Sequence, residues 1–133
     1  MRIYLLFVLT VIILSCNSQN KLNILWCKEN DSTIKKHNMS FRELYKLKDL
    51  QGKTIMITGY FSYNFEDVAL YPDTKADQEG IWLNFSHELL KSDSLLKKIN
   101  KKKIAITGQV DLTNKGHLNY YFCSLYNITC IRQ

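Results

Sequence analysis

A seven-residue phrase that occurs twice constrains the fold more than any other part of the chain. It begins at Lys53 and again at Lys102, and in both copies apolar residues alternate with other residues as far as a glycine, Gly59 or Gly108. The alternation continues past each glycine, and its members are Ile55, Ile57, Phe61 and Tyr63 in the first copy and Ile104, Ile106, Val110 and Leu112 in the second. Period-2 patterning with β-branched residues is typical of half-buried strands. The two phrases therefore predict two β-strands.

The rest of the chain predicts three further strands and two helices. Ser40-Phe41-Arg42-Glu43 has the form of a capping box and predicts a short helix over about 41–49. Leucines at helical spacing after Ser86 predict a second helix over 87–100. The other strands are predicted at about 65–71, 81–85 and 118–131, and the last is expected to be bulged because its apolar residues break strict alternation.

This order of elements, β-β-β-α-β-β, predicts an all-β fold. We expect an OB-fold-like, five-stranded Greek-key barrel with one helix, preceded by a short N-terminal helix. In such a barrel the first and fourth strands are antiparallel neighbours, so the two phrases are expected to pair. Gly59 and Gly108 then fall on the inward face, where a missing side chain lets a strand coil sharply. The repetition thus indicates neighbouring strands, not two half-domains.

The first sixteen residues predict a signal for lipid attachment. Residues 3–14 are apolar apart from Thr10 and follow Arg2, a run shorter than the roughly 20 residues of a spanning helix and typical of a signal-peptide core. Ile13-Leu14-Ser15-Cys16 resembles the bacterial lipobox, which implies a diacylglycerol on Cys16 and cleavage before it. An ordinary secretory signal is the alternative.

The predicted organisation follows from that signal. It is a signal peptide over 1–15, a lipidated Cys16 and tether over 16–38, and an OB-fold-like domain over 39–133. We expect the protein in the bacterial cell envelope, anchored to a membrane and facing the periplasm or the cell exterior.

The net charge of +6 indicates a mildly basic surface. Such a surface suits anionic lipid headgroups or polysaccharide as well as nucleic acid, and nucleic acid fits poorly with a protein held outside the cytoplasm. Five lysines lie within seven positions, at Lys97, Lys98 and 101–103. They indicate a solvated helix end or a contact with anionic headgroups.

With its strands laid out, the chain resembles a group of small bacterial OB-fold proteins that are often secreted or lipid-anchored. The matching residues are Gly52, Lys53, Ile55, Ile57, Gly59 and Tyr60; Ala69, Leu70 and Tyr71; Ile81, Trp82 and Leu83; Gly116, His117 and Leu118; and Asn127, Ile128 and Thr129. The resemblance covers about 40–133 and departs at Cys123 and Cys130. It implies the barrel fold and carries no established activity with it.

Three cysteines remain once Cys16 is assigned to lipid. Outside the cytoplasm an odd number indicates one disulfide and a free thiol, or no disulfide. Cys27 is able to pair with Cys123 or with Cys130 if residues 22–27 dock beside the last strand, and the sequence leaves both pairings open. No metal-ligand spacing supports a metal site, and no cofactor or catalytic residue is predicted.

Four residues are the candidates for ligand binding. Tyr71, Trp82 and Asn84 are expected to point outward from the second and third strands, a surface that OB folds use for binding, and His117 lies in a turn at a loop often used in the same way. A competing interpretation is that the N-terminal segment, with Leu25 and Trp26, covers that surface.

The expected function is that of a lipid-anchored, non-catalytic binding or interaction module with an envelope protein or polysaccharide as partner. One alternative is an oligosaccharide- or oligonucleotide-binding OB domain that uses the outward aromatic residues. The other is a metal- or thiol-dependent protein that uses His117 and the cysteines.

Overall fold

Seven strands and three short α-helices form the part of the chain that the computed structural model describes, residues 22–74 and 79–133. The strands are β1 (Ile24–Cys27), β2 (His37–Met39), β3 (Thr54–Asn64), β4 (Asp67–Tyr71), β5 (Ile81–Leu83), β6 (Lys103–Asp111) and β7 (Cys123–Arg132). The helices are α1 (Phe41–Leu44), α2 (His87–Leu90) and α3 (Asp93–Ile99), and short 3-10 turns lie at Asp31–Thr33 and His117–Asn119. The predicted signal peptide and Cys16 lie outside the described residues. None of the helices in the described ranges is long and apolar enough to span a bilayer.

The two repeated phrases pair with each other, as the sequence predicts. Strand β3 is antiparallel to β6, and Ile57 lies opposite Ile106 at the centre of the pairing. Ile55 lies opposite Gly108, and Gly59 lies opposite Ile104. Each glycine therefore lies opposite the first isoleucine of the other copy. The repeated sequence thus places a residue without a side chain opposite an isoleucine at both positions.

Five of the strands close into a barrel. Antiparallel pairs join β3 to β4, β4 to β5, β6 to β7 and β3 to β6, and a parallel pair joins β5 to β7. The prediction of an all-β barrel is confirmed at this level. The barrel interior is filled by buried aliphatic and aromatic side chains, among them Ile55, Ile57, Phe61, Leu70, Ile81, Leu83, Ile104, Ile106, Val110 and Leu125.

Both glycines of the phrases are buried on the inward face. A Cβ atom built on Gly59 would lie 2.5 Å from the Tyr71 carbonyl oxygen and 2.8 Å from side-chain atoms of Leu70 and Phe41. At Gly108 the nearest atom, the Tyr126 carbonyl oxygen, would be 3.1 Å away. The chain thus has no room for a side chain at Gly59, because a backbone atom of the neighbouring strand occupies that space.

Some predicted elements have different limits. The single helix over 87–100 is wrong: the chain turns at Lys91 and Ser92, and two short helices result. Serine and aspartate compete for backbone hydrogen bonds, which favours such a break before Asp93. The capping box of α1 is confirmed, although the helix ends at Leu44.

The last strand is bulged, as predicted. Its register against β6 shifts between Thr107 and Gln109, where Asn127 adopts a left-handed backbone conformation with φ 46°. The strand begins at Cys123 and not near 118, because the preceding residues fold over the outside of the barrel.

Residues 22–38, predicted as the end of a tether, contribute to two strands of the sheet. Strand β1 is antiparallel to β7, and β2 is parallel to β3. The unpaired edges that β7 and β3 present there offer backbone hydrogen bonds, and the apolar segment from Ile24 to Trp26 supplies a strand to take them. The folded domain therefore begins near Asn23, whose backbone exchanges two hydrogen bonds with Gln133.

The chain between β1 and β2 crosses the outer face of β6. The Asp31 carboxylate pairs with Arg132 at 2.5 Å and with Lys36 at 2.9 Å, and it accepts a hydrogen bond from Thr129. Arg132 in turn donates to Thr107, which is buried on the outer side of β6. We call residues 23–39 the N-terminal cover.

Candidate functional site

The outward face of β4 and β5 carries the candidate site. Asp67, Ala69 and Tyr71 alternate with the inward Leu70 and so point outward, and Trp82 lies opposite Ala69 on β5. Ala69 is fully buried although it points away from the barrel interior. Another part of the chain therefore covers this outward face of β4 and β5.

The Asp67 carboxylate is the polar centre of the face. One oxygen accepts hydrogen bonds from the hydroxyls of Tyr71 and Tyr121, both at 2.8 Å. The other oxygen accepts from the hydroxyl of Ser62. These bonds join β3, β4 and the segment before β7, so one carboxylate fixes three parts of the chain.

The two tyrosines remain hydrogen-bond donors over the physiological pH range. Burial, the hydrogen bond to Asp67 and the negative charge of Asp67 together raise the pKa of Tyr71 to about 12. Burial and the same carboxylate also raise the pKa of Tyr121. Because phenolate would be repelled by Asp67, both hydroxyls keep their protons and direct them to the carboxylate.

The cover of this face is the segment between β6 and β7, residues 112–122, which we call the loop cover. Gly116 lies directly on the Trp82 ring, so closely that a Cβ there would come within 2.6 Å of it. The Tyr121 ring packs against the other part of Trp82, with centroids 5.2 Å apart. Gly116 has φ 66°, a conformation that glycine adopts without strain.

A pocket of about 420 Å³ opens beside the Asp67 cluster. Its lining includes Tyr60 and Tyr71, which lie opposite each other on β3 and β4. Its polar lining residues are Ser62, Asp67, Asp73, Thr74 and Lys101. A pocket of this size, with aromatic faces and a few polar groups held in place, has the features of a small-molecule site.

Lys101 is held rigidly at the rim of this pocket. Its backbone N–H donates to the Phe61 carbonyl at 2.8 Å, and the carbonyl of Lys102 accepts from the N–H of Phe61 at 2.9 Å. The backbone of Lys101 is left-handed, with φ 63°. The backbone of Lys101 is thus fixed to β3 by the turn that leads from α3 into β6, and its exposed side chain starts from that fixed point.

The structure brings together only some of the predicted binding residues. Tyr71 lines the pocket, and Trp82 is half-buried beneath the loop cover. Asn84 is exposed just beyond β5, and His117 is exposed on the loop cover; neither lines the pocket. The competing interpretation expected this face to be covered by the N-terminal segment. The face is covered, but by residues 112–122, and Leu25 and Trp26 lie on β1 beside β7.

Several residues of the site were not predicted. Continuing the outward alternation of Ala69 and Tyr71 back along β4 reaches Asp67, so the sequence held a signal for it. Tyr60 is likewise outward because Gly59 and Phe61 point inward. Tyr121 carried no such signal, since the sequence placed it within a strand.

The cysteines form a structural unit away from this site. Cys27 and Cys130 are joined in a disulfide between β1 and β7, which decides the pairing that the sequence left open. Cys123 is a buried free thiol whose pKa burial raises to about 12, so it is protonated and unreactive. Within the described residues the one group of three possible metal ligands is Cys27, Asp31 and Cys130, which omits His117 and contains the two bonded sulfurs.

Comparison of the chain with models of known protein families, with curated proteins and with solved structures finds no match.

Proposed function

We propose that the chain is a lipid-anchored OB-fold protein of the bacterial envelope that binds a saccharide and catalyses no reaction. The observation that carries the proposal is the pocket beside Asp67, where aromatic faces and fixed polar groups converge.

The order of strands around the barrel supports the OB fold. The five barrel strands are numbered here in chain order. Followed around the barrel, they run first, second, third, fifth and fourth, and the third strand (β5) is parallel to the fifth (β7). Helices α2 and α3 lie between the third and fourth barrel strands, where an OB fold has its helix. The lipid anchor is supported by the lipobox-like residues that end at Cys16.

The chemistry of the pocket favours a saccharide over a nucleic acid. Asp67 and Asp73 line the pocket, and carboxylates repel a phosphodiester backbone. Sugar hydroxyls, in contrast, donate hydrogen bonds to carboxylates, and a sugar ring packs on tyrosine faces such as those of Tyr60 and Tyr71. Lys101 supplies a donor for hydroxyl or carbonyl oxygens on the opposite rim.

The pocket groups also suit binding better than catalysis. The hydroxyls of Ser62 and Tyr71 both donate to Asp67, so these polar groups hold each other in position. Within the described lining no histidine accompanies them as a general base. A fixed arrangement of this kind provides a complementary surface with little entropy cost on binding.

The test is a ligand titration of the Trp26→Phe protein, in which the fluorescence of Trp82 reports binding. The ligands are soluble peptidoglycan fragments, neutral cell-wall oligosaccharides and, for comparison, oligothymidylate. We expect a saccharide to change the emission because Trp82 contacts Tyr121, which shares the Asp67 carboxylate with Tyr71. Tyr60→Ala should weaken binding by about tenfold or more, as expected for the loss of an aromatic contact.

Tyr120→Ala is the matched control, because Tyr120 is an exposed tyrosine that does not line the pocket. It should leave the saccharide affinity unchanged. Binding of oligothymidylate with no saccharide binding at millimolar concentrations would favour the nucleic-acid alternative and end the present proposal.

A further inference from the structure

One end of the sheet gathers exposed lysines and exposed apolar residues around the point where the folded domain begins. Across β1, β7 and β6, Ile24 lies beside Arg132, and Arg132 lies beside Ala105. Lys103 follows two residues nearer the same end of β6 and points to the same outer side as Ala105. Neighbouring strands are about 5 Å apart, so Ile24 and the start of β6 lie within roughly 10 to 15 Å.

The exposed groups at this end are of two kinds. Ile24 is 67% exposed and Leu22 is 38% exposed. The lysines Lys98, Lys101, Lys102 and Lys103 are all exposed. The turn that carries Lys101 and Lys102, between α3 and β6, is fixed to β3 by the hydrogen bonds of Phe61. Among the acidic groups near them, Asp93 is paired with Lys97 and Asp31 with Arg132. Glu43, which lies near Lys103, is held by Ser40 in the capping box, and Asp67 and Asp73 line the pocket beside Lys101. An apolar edge beside a rigid group of cations is the composition of surfaces that bind anionic bilayers.

The length of chain before this end restricts where the domain sits. Asn23 is hydrogen-bonded to Gln133 within the sheet, and it follows Cys16 by seven positions. Seven residues span at most about 25 Å when fully extended. If Cys16 carries the lipid, this end of the barrel is always close to the membrane surface.

We propose that the end of the barrel formed by Leu22, Ile24 and the lysines 98, 102 and 103 docks on the anionic bilayer that holds the anchor. The inference rests on the proposed lipid anchor. Docking orients the Asp67 pocket and the loop cover relative to the membrane and leaves the opposite end of β6, near Asp111, facing away from it. We take the bilayer, and not a protein, as the partner because the short chain keeps this surface within about 25 Å of the anchoring lipid.

The experiment uses the full lipidated protein in vesicles of phosphatidylglycerol or of phosphatidylcholine, each with a headgroup-photoactivatable phospholipid as probe. Peptide mapping by mass spectrometry locates the cross-links. In phosphatidylglycerol we expect labelling of peptides that contain residues 22–28 and 98–104, with little labelling of residues 112–122. Lys102→Glu with Lys103→Glu should reduce this labelling by about tenfold or more, since each basic residue near an anionic surface adds about fivefold to its affinity.

Lys53→Glu with Lys115→Glu is the matched control, because Lys53 lies beside Val110 at the far end of β6, Lys115 follows that end, and the change in net charge is the same. It should leave the labelling pattern unchanged. Equal labelling of both ends in the unsubstituted protein, or labelling that is independent of phosphatidylglycerol, would overturn the docking surface. The same spectra report the mass of the peptide that begins at Cys16: a missing diacylglycerol contradicts the anchor, whereas an acylated peptide without labelling at 98–104 contradicts only the docking.

Discussion

The barrel has two covered outer faces, and different chemistry holds the two covers. The N-terminal cover is joined to β7 by the Cys27–Cys130 disulfide and by the buried ion pair of Asp31 with Arg132. The loop cover is joined to β4 by the hydrogen bond from the Tyr121 hydroxyl to Asp67 and to β5 by the packing of Tyr121 on Trp82. The first cover is covalently closed, while the second is held by weak contacts alone.

The loop cover also contains unfavourable features. Leu118 and Asn119 both have left-handed backbone conformations, with φ 54° and 58°, which cost energy in residues other than glycine. Beneath it the hydroxyl of Ser124 is buried without a hydrogen-bond partner among the described residues. The N-terminal cover is therefore covalently part of the fold, whereas we expect the loop cover to be the easier of the two to displace.

Opening the disulfide is expected to have the largest effect. The Cys27→Ser, Cys130→Ser protein should lose about 3 kcal/mol of unfolding free energy, because the bond closes a long loop and limits the unfolded chain. Urea denaturation with and without dithiothreitol measures the loss. The double variant should be insensitive to dithiothreitol, and a wild-type midpoint that is also insensitive would contradict the covalent closure.

Removing the charge of Asp31 is expected to have the next largest effect. Burial by itself would raise the pKa of Asp31, but the hydrogen bonds from Lys36, Thr129 and Arg132 outweigh burial and hold the pKa below its ordinary value. The carboxylate therefore stabilises the fold above about pH 4, and this contribution is lost as the pH falls through the lowered pKa. Asp31→Asn should cost about 2 kcal/mol at neutral pH, since Arg132 and Lys36 lose a charged hydrogen-bond partner.

The measurement for Asp31 is the dependence of the unfolding free energy on pH from 7 down to about 2. The wild-type curve should fall more steeply than that of Asp31→Asn. Asp49→Asn is the control, because its ion pair with Lys53 is on the surface and should be worth nothing measurable. Parallel curves for wild type and Asp31→Asn would show that the ion pair does not hold the N-terminal cover.

Weakening the polar attachment of the loop cover is expected to have a smaller effect on stability. Asp67→Asn keeps the shape but replaces the charged acceptor of three hydroxyls, and should cost about 1 kcal/mol. Because the pKa of Tyr71 is raised to about 12, the wild type should lose stability as the pH rises from about 10 to 12. In Asp67→Asn that alkaline loss should be smaller, and phenolate absorbance followed by ultraviolet spectroscopy checks it.

Displacing the loop cover directly is expected to change global stability least. Gly116→Ala places a methyl group against the Trp82 ring in a backbone conformation that alanine adopts with strain. We expect faster proteolysis within residues 112–122 and a red shift of Trp82 emission in the Trp26→Phe background, with only a small change in the unfolding midpoint. Gly52→Ala, also at positive φ but with open space around its Cβ, is the control. A large drop in the midpoint for Gly116→Ala would mean that this cover is as integral to the fold as the other.

The barrel was largely predictable because its signals are local. Alternation placed Ile55, Ile57 and Phe61 on the inward face, and the same pattern identified the partner strand at Ile104 and Ile106. The capping box at Ser40 needs only four consecutive residues, and it forms as the sequence indicates.

The candidate site was predictable only in part. The alternation correctly placed Tyr71 and Trp82 on the outward face, yet it gave no information on what lies above them. Tyr121 reaches Asp67 across 54 positions of the chain, and no pattern within β4 contains that pairing.

Residue spacing along the chain is thus enough to identify the side chains that face the barrel interior and the two strands that carry the same phrase, because the two faces of a strand follow from spacing alone. The three-dimensional fold was needed to show that Cys27 pairs with Cys130, that Asp31 meets Arg132 across 101 positions, and that residues 112–122 lie on Trp82. These contacts join segments that are distant along the chain, and their partners are selected by the strand pairings that bring those segments together.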